Sequence, residues 1–505
     1  MAASEALMTK APVIEDRSEV LVTGNEWVAL PAIDPVTGGI RTVEVLSMRA
    51  LGSLGLAASP DPWRAPAGRA PGEAGGVAPS LLAPFVELDG RRIPFEAAAR
   101  SATLLEDWAV ELRWKWSGLP ATGDTNGSRD LELRAIIFAP VGYRGCVARL
   151  EARNVSGHPV DLALGLEGRW RSVVYSLFRS RPLPVSLHCQ QDRWTGSLAM
   201  EASAGWPVIG WAVSTDEPAD IVQEPGSVAD ALEFVMGRRQ ALAPGETASA
   251  TFYVSVAPEL DGARTTGVDL RRHGWASLLD ETLEWLRSRK QRLPDETLER
   301  LANRNLFFTH FFACGRTIDT EEWVAVTSRS PRYYVSAAFW ARDSLLWSLP
   351  GLLLVEPSTA RSVLLFAFRH GWKNPGMHAQ YISGAALYPG FELDELAAYP
   401  VALGRYLDAT ADESILEEPE VKAALKAFPE VLERLGGPGP LYRTFLDPSD
   451  DPPPYPYLTY DNALLWRGLV ELGRVYRRVG MLHEAARAEG LARRRRGAHR
   501  GPFGG

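Results

Sequence analysis

Arg342 and Asp343 stand side by side in "YYVSAAFWARDSLLWSLPGLLL", a stretch from Tyr333 to Leu354 that is apolar enough to form a buried helix. A buried guanidinium without a partner costs several kcal/mol, so it must meet an acid or a polar ligand. Two readings follow. In the first, Asp343 caps a helix beginning at Ser344 and Arg342 is its ion-pair partner. In the second, the planar guanidinium donates two hydrogen bonds and the carboxylate accepts two, and together they read the hydroxyls of one pyranose ring.

A second group of acids comes about fifty residues later, in "GFELDELAAYPVALGRYLDATADESIL". Glu392, Asp394 and Glu395 cluster at the start of a helical pattern. Exposed acids at a helix N-terminus gain about 0.3–1 kcal/mol each, which is the plain explanation. Gly390-Phe391 precede them, however, and an apolar stripe through Leu396, Tyr399 and Leu403 follows, so part of the cluster faces an interior. Carboxylates crowded there raise one another's pKa, as a general acid near neutral pH requires.

These residues need a scaffold, and the chain is long enough for one. Its 505 residues suit two or three domains; 46% are hydrophobic and 23% charged, as in a soluble protein with sizeable cores. The net charge of -8 gives no footprint for nucleic acid. No window reaches the ~18 consecutive apolar residues of a membrane span. The start, "MAASEALMTKAPVIEDRSE", lacks a basic segment followed by an apolar one. Cys146, Cys189 and Cys314 are too few and scattered for a disulfide framework or a zinc cluster. A cytoplasmic protein without metal or cofactor is expected. The 16 tryptophans suit sugar faces and cores alike.

The pattern predicts an α+β multidomain chain. Residues 1–56 are strand-rich, 57–80 form a Pro/Gly-rich loop or linker, and 81–260 alternate as an antiparallel β-sandwich. A helical linker over 261–293 leads to a domain of helical hairpins over 294–490. Residues 491–505, "ARRRRGAHRGPFGG" with its preceding leucine, are read as a disordered basic tail, or as a frame-shifted end of a GC-rich gene.

The order "FWARDSLLW", "HGWKNPGMHAQYISG", "GFELDELAAYPVALGRYLDATAD" and "YLTYDNALLWRGL" resembles the six-hairpin glycosidases, in particular the glucoamylase-like and glycogen-debranching-like branches. The resemblance is loose from Leu81 and tighter from Phe311 to Val479. It implies an (α/α)6 toroid behind the sandwich, and a hydrolase that removes a terminal hexose with inversion. Arg342, Asp343 and Glu392 would bind that sugar. Glu395 would be the general acid, with Asp394 its runner-up. Trp340 and Trp372 would stack on sugar faces, and His378 and Gln380 would be polar contacts in a loop over the site. Asp461-Asn462 reads as a helix cap after Thr459.

An inverting enzyme also needs a carboxylate ~6.5–9.5 Å from the acid to activate water. The family draws it from a late hairpin. Twelve helices need on the order of 250–350 residues, and about 210 follow Pro294, so an incomplete toroid without its base is expected. Asp447, Asp450 and Asp451 look like turn residues; with Glu484 they are the later acids to test as a base. Two alternatives stay open: a phosphorylase on the same fold, which wants an anion pocket that the late hairpins do not offer, and a carbohydrate-binding protein without catalysis.

Overall fold

The computed structural model describes residues 20–62, 79–120, 128–228, 231–333, 335–436, 441–455 and 457–498. Most of the Pro/Gly-rich stretch and the last seven residues lie outside the described residues. The chain divides into two compact units, one taking in Ser53–Lys290 and the described residues up to Leu46, the other chiefly Gln291–Arg329 and the residues from Tyr333 onward.

The strand-rich unit follows from alternation. In Gly145–Asn154, the buried Cys146, Ala148, Leu150 and Ala152 alternate with Arg149, Glu151 and Arg153, which remain at least partly exposed. This strand lies inside an antiparallel eight-stranded sheet, between Thr247–Ala257 and Ser128–Phe138. A five-stranded sheet centred on Val160–Trp170 packs over it. Trp170 and Phe234 from that sheet meet Trp211 of the eight-stranded one, with ring centres 5.5 and 6.2 Å apart. A six-stranded sheet gathers the early strands Leu21–Gly24, Val28–Ile33, Thr42–Ser47 and Gly52–Ala57. The turn at Ser156-Gly157-His158-Pro159 joins two strands of different sheets. The buried Asn154 holds this corner: its Nδ2 donates to His158 O and Leu242 O, at 2.8 and 3.0 Å.

The helices read as a linker belong to this same unit. Helices α1 (Leu260–His273) and α2 (Trp275–Arg289) lay Leu270, Leu278 and Leu279 against Phe138, Val147 and Tyr253 of the eight-stranded sheet. Their apolar stripe had a sheet face to cover, which periodicity alone does not reveal.

The second unit carries α3 (Glu296–Phe312), α4 (Leu349–Val355), α5 (Pro357–Arg369), α6 (Leu393–Thr410), α7 (Pro419–Gly436), α8 (Thr459–Arg478) and α9 (Leu482–Ala498). Asp295 caps α3 through Leu298 N, at 2.8 Å. Helix α6 packs along α8 where side chains are missing: a Cβ on Gly468 would meet Pro400, and one on Gly404 would meet Glu471. Helix α9 corrects the reading of the tail, because the arginine run is helical as far as Ala498. Ala485, Ala488 and Ala492 are buried along one side of it; small residues at helical spacing thus supply much of its packing face. No helix among the described residues is long and apolar enough to cross a membrane.

Candidate active site

Arg342 is 2% exposed, and five acids from three segments lie within 4.0 Å of its guanidinium: Asp343 beside it, the group Glu392, Asp394 and Glu395, and Asp450. Its Nη1 donates to Glu392 Oε2 at 2.9 Å and to Asp394 Oδ2 at 3.2 Å, and its Nη2 donates to Asp450 Oδ1 at 2.9 Å. Asp343 is not the main partner: its Oδ2 lies 3.8 Å from Arg342 Nε. That Nε has no hydrogen-bond acceptor among the described residues.

The local backbone explains the arrangement. Arg342–Ser348 form a π-helical segment that leads directly into α4, with Leu349 N donating to Ser344 O. Asp343 therefore sits inside the helix and caps nothing, and the predicted start at Ser344 is two residues too late. The capping role belongs to Glu395, whose Oε2 accepts from the amides of Ala341 and Arg342. A wide π turn is a common device at functional sites.

Glu392 is wholly buried at the N-cap of α6; it also accepts from His378 Nδ1 at 2.6 Å. Asp394 Oδ1 accepts from the amide of Glu395 at 2.8 Å. Asp450 is the solvent-facing member. Its side chain is 37% exposed and its φ is +64°, in the left-handed region. It belongs to the Pro-rich loop before α8, which Phe445 N and Leu393 N fasten to the start of α6 through Phe391 O and Thr444 Oγ1.

Asp461 is the residue that sequence reasoning passed over. The N-cap of α8 is Leu458, so Asp461 does not cap; both its carboxylate oxygens are buried without a hydrogen-bond partner within 3.5 Å among the described residues, and the Thr444 side chain beside them only partly offsets the cost of burial. Asn462 instead pins the loop, exchanging hydrogen bonds with both backbone groups of Tyr442 at 2.9 Å. The available signal was an acid three residues into a helix with nothing nearby for it to cap.

Burial sets the electrostatics. It pushes the Asp461 carboxyl up to about 7, with Asp394 and Glu392 adding to the shift. It pushes Asp343 up to about 6, against the pull of Arg342 and with help from Asp450 and Asp394. Asp394 is raised, and Glu395 is raised well above the usual carboxylate range, burial again being the main cause. Burial would lower the Arg342 guanidinium, but Glu395, Asp394, Glu392 and Asp343 outweigh it and hold the group firmly charged. His378, Glu392 and Asp450 offer ligand atoms within 4.8 Å of one another, the spacing of a metal site. Arg342 already donates to both carboxylates, so a cation would have to displace it.

The other predicted contacts divide. Trp340 is buried edge-on to His378, with ring centres 5.7 Å apart. Gln380 pairs its backbone with Phe339 and sends Nε2 to Asn374 O at 3.0 Å, so it shapes the adjoining segment. Trp372 packs among Phe368, Tyr399 and Phe428, an aromatic core joining α5, α6 and α7. The tryptophan left open beside the cluster is Trp347, which has Arg342 Cζ 5.7 Å from its ring centre. Of the late acids, Asp450 reaches Arg342, whereas Asp447 Oδ1 accepts the amides of Ser449 and Asp451 within its own turn.

No family model matches the sequence, and no curated protein matches it. Among solved structures, one described as a kojibiose phosphorylase from the human microbiome aligns with a TM-score of 0.56 at 11% identity, over 81% of this chain and 59% of that one. A bacterial glucoamylase complexed with acarbose aligns with a TM-score of 0.56 at 11% identity, over 94% of this chain and 66% of its own. The chain thus spans less than two thirds of the length of either. At such identity the likeness speaks for the fold alone, a glucoamylase-like one.

Proposed function

We propose that this chain hydrolyses the glycosidic bond of a terminal hexose with inversion. The observation that carries the reading is a buried, firmly charged Arg342 among five acids, with Arg342 Nε, Glu395 Oε1 and both Asp461 oxygens lacking hydrogen-bond partners among the described residues. Buried polar groups left unpaired are expensive, and a polyhydroxylated ring is a ligand that would satisfy them. In this reading the helical residues 294–490 belong to an α/α toroid that carries the reaction, and residues 1–56 and 81–260 are accessory.

Arg342 and Asp343 hold hydroxyls of the terminal sugar, with Glu392 and His378 behind them. The proton donor is Asp461: its carboxyl at about 7 keeps a proton near neutral pH, as the still more raised Glu395 does, but Glu395 is tied by Oε2 to the amides of Ala341 and Arg342. As the bond from C1 to the leaving oxygen breaks, that oxygen takes the Asp461 proton. Water adds to C1 from the opposite face and gives its proton to Asp450, the acid of the group most open to solvent. The surrounding carboxylates favour the positive charge that develops on the sugar. Glu395 holds the backbone of Arg342 in place, and Asp394 orients its guanidinium.

A phosphorylase is the second reading, since one of the similar folds is described as one. The acidic surroundings of Arg342 oppose a phosphate dianion, which favours water. The test follows products from maltose and kojibiose by proton NMR, with and without phosphate. Glucose appearing first as the β-anomer, without phosphate, is expected. A sugar 1-phosphate formed only with phosphate would replace the hydrolase by the phosphorylase. Asp461→Asn should abolish turnover in either case; if it does not and Glu395→Gln does, Glu395 is the donor.

A further inference from the structure

Beside the acid cluster, Tyr388 and Phe445 are 48% and 45% exposed, so neither ring closes a core. Tyr388 lies on the strand Ala386–Phe391, and its ring meets His378 edge-on with centres 5.0 Å apart. Phe445 comes from the Pro-rich loop, and its ring centre is 6.5 Å from that of Tyr388, the planes tilted by 37°.

Phe445 is held from behind. Its amide donates to Phe391 O at 2.8 Å. Its ring lies on Gly390, where a Cβ would come within 2.3 Å of Phe445 Cδ1. A residue with any side chain at 390 would push the ring away, so the glycine lets it seat directly on the backbone. One face is fixed and the rest is left to solvent, which gives an apolar surface already ordered before a ligand arrives.

A continuous chain of contacts leads from the buried charge to this surface. Arg342 meets Glu392 at 2.9 Å and Glu392 meets His378 at 2.6 Å; His378 then touches Tyr388, and Tyr388 neighbours Phe445. The chemistry changes along it from charged and buried to aromatic and open. A pyranose has hydroxyl edges and C–H faces. The inner end suits the edges of one ring, and the outer end suits the face of the next.

We propose that Tyr388 and Phe445 form the platform for a second sugar ring, the one on the leaving-group side of the bond. The inference rests on the hydrolase reading and narrows it: the substrate is a disaccharide or longer chain, not a glycoside of a small alcohol.

The test uses the full chain and two variants, Phe445→Ala and Phe445→Leu, the latter keeping apolar bulk without the flat face. Rates on maltose and kojibiose are compared with rates on α-D-glucosyl fluoride, which has no second ring. Losing one stacking surface should lower disaccharide kcat/KM about tenfold, mainly through KM, and leave the fluoride within about twofold. Equal losses on both substrates, or an unchanged disaccharide rate, would overturn the platform. If the wild-type chain turns over neither substrate, the hydrolase reading fails by itself, and saturation-transfer NMR with maltose then decides the platform. Saturation of one glucose ring in the wild type that disappears in Phe445→Leu upholds it; absence of signal in the wild type, or equal signal in both, overturns it.

Discussion

Glu395 accepts the amide hydrogens of both Ala341 and Arg342 with one oxygen, Oε2, at 2.5 and 3.1 Å. It grips the backbone of the arginine, and its other oxygen stays 4.0 Å from Arg342 Nε. The carboxylate that resemblance singles out for proton donation thus fixes where the guanidinium begins.

Replacement of Glu395 should separate these roles. Burial pushes its carboxyl well above the usual range, toward the neutral form that glutamine mimics. Glu395→Gln should therefore fold with a near-native Tm and keep kcat/KM within about tenfold. Glu395→Ala leaves two buried amides without an acceptor and should cost about 1–3 kcal/mol for each, read from denaturant unfolding. A folded glutamine variant devoid of activity would return the donor role to Glu395.

The raised Asp461 predicts how stability depends on pH. From roughly pH 4 to 7, the folded protein retains a proton that the unfolded chain has released, since its carboxyl moves from 3.8 to about 7. Stability should fall as pH rises through that window and level off above it. Asp461→Asn should flatten part of the slope and gain on the order of a few kcal/mol at pH 8. Activity should fall above about pH 7 as the donor loses its proton. Unfolding free energies of wild type and Asp461→Asn from pH 4 to 8 and a kcat/KM profile check both; a slope that the substitution leaves unchanged would exclude the buried neutral acid.

Arg342→Lys should damage both folding and binding. An ammonium cannot serve Glu392, Asp394 and Asp450 with the geometry of a planar fork. Removing the partner of buried carboxylates costs about 3–5 kcal/mol, and lysine should recover only part of it. Thermal melts should show the loss, and maltose affinity by calorimetry should fall in the folded fraction. Unchanged stability with weakened binding would mean that the acids do not depend on the fork.

Much of this site was legible because burial forces pairing. A guanidinium amid Phe339, Trp340 and Leu345 had to find acids, and Glu392, Asp394 and Glu395 were the nearest cluster with an apolar stripe behind it. The type of helix was not legible: periodicity does not distinguish a π turn from an α turn over seven residues, so Asp343 was given a cap that Glu395 provides from 54 residues away. Asp450 reaches the cluster through loop closure and Asp461 through the packing of α8 on α6, neither of which a local pattern encodes. Trp372 looked like a sugar platform because its partners Tyr399 and Phe428 come from other helices. The sandwich strands were readable from alternation, but the sheet that each one joins was not, as the corner at Asn154 shows.

Gly390→Ala offers a check that touches no charged group. The added methyl must displace the Phe445 ring or the backbone under it. The variant should copy Phe445→Ala, with slower disaccharide turnover, an unchanged rate on glucosyl fluoride and little change in Tm. Full disaccharide activity would show that the seat of Phe445 is adjustable.

The π-helical segment has a bearing on how the sequence can vary in length. It holds one residue more than an ordinary turn needs, ahead of an α4 anchored by the buried Leu349, Leu352 and Val355. Deleting any single residue between Asp343 and Ser348 would let regular α-helical hydrogen bonds close throughout. With α4 kept in its seat, Arg342 would swing about 100° around the helix axis, away from Glu392 and Asp394. The shortened protein should unfold at a higher temperature if the stranded acids are neutralised as well, and it should be inert. A working site and a silent, regular helix would then differ by the length of one codon.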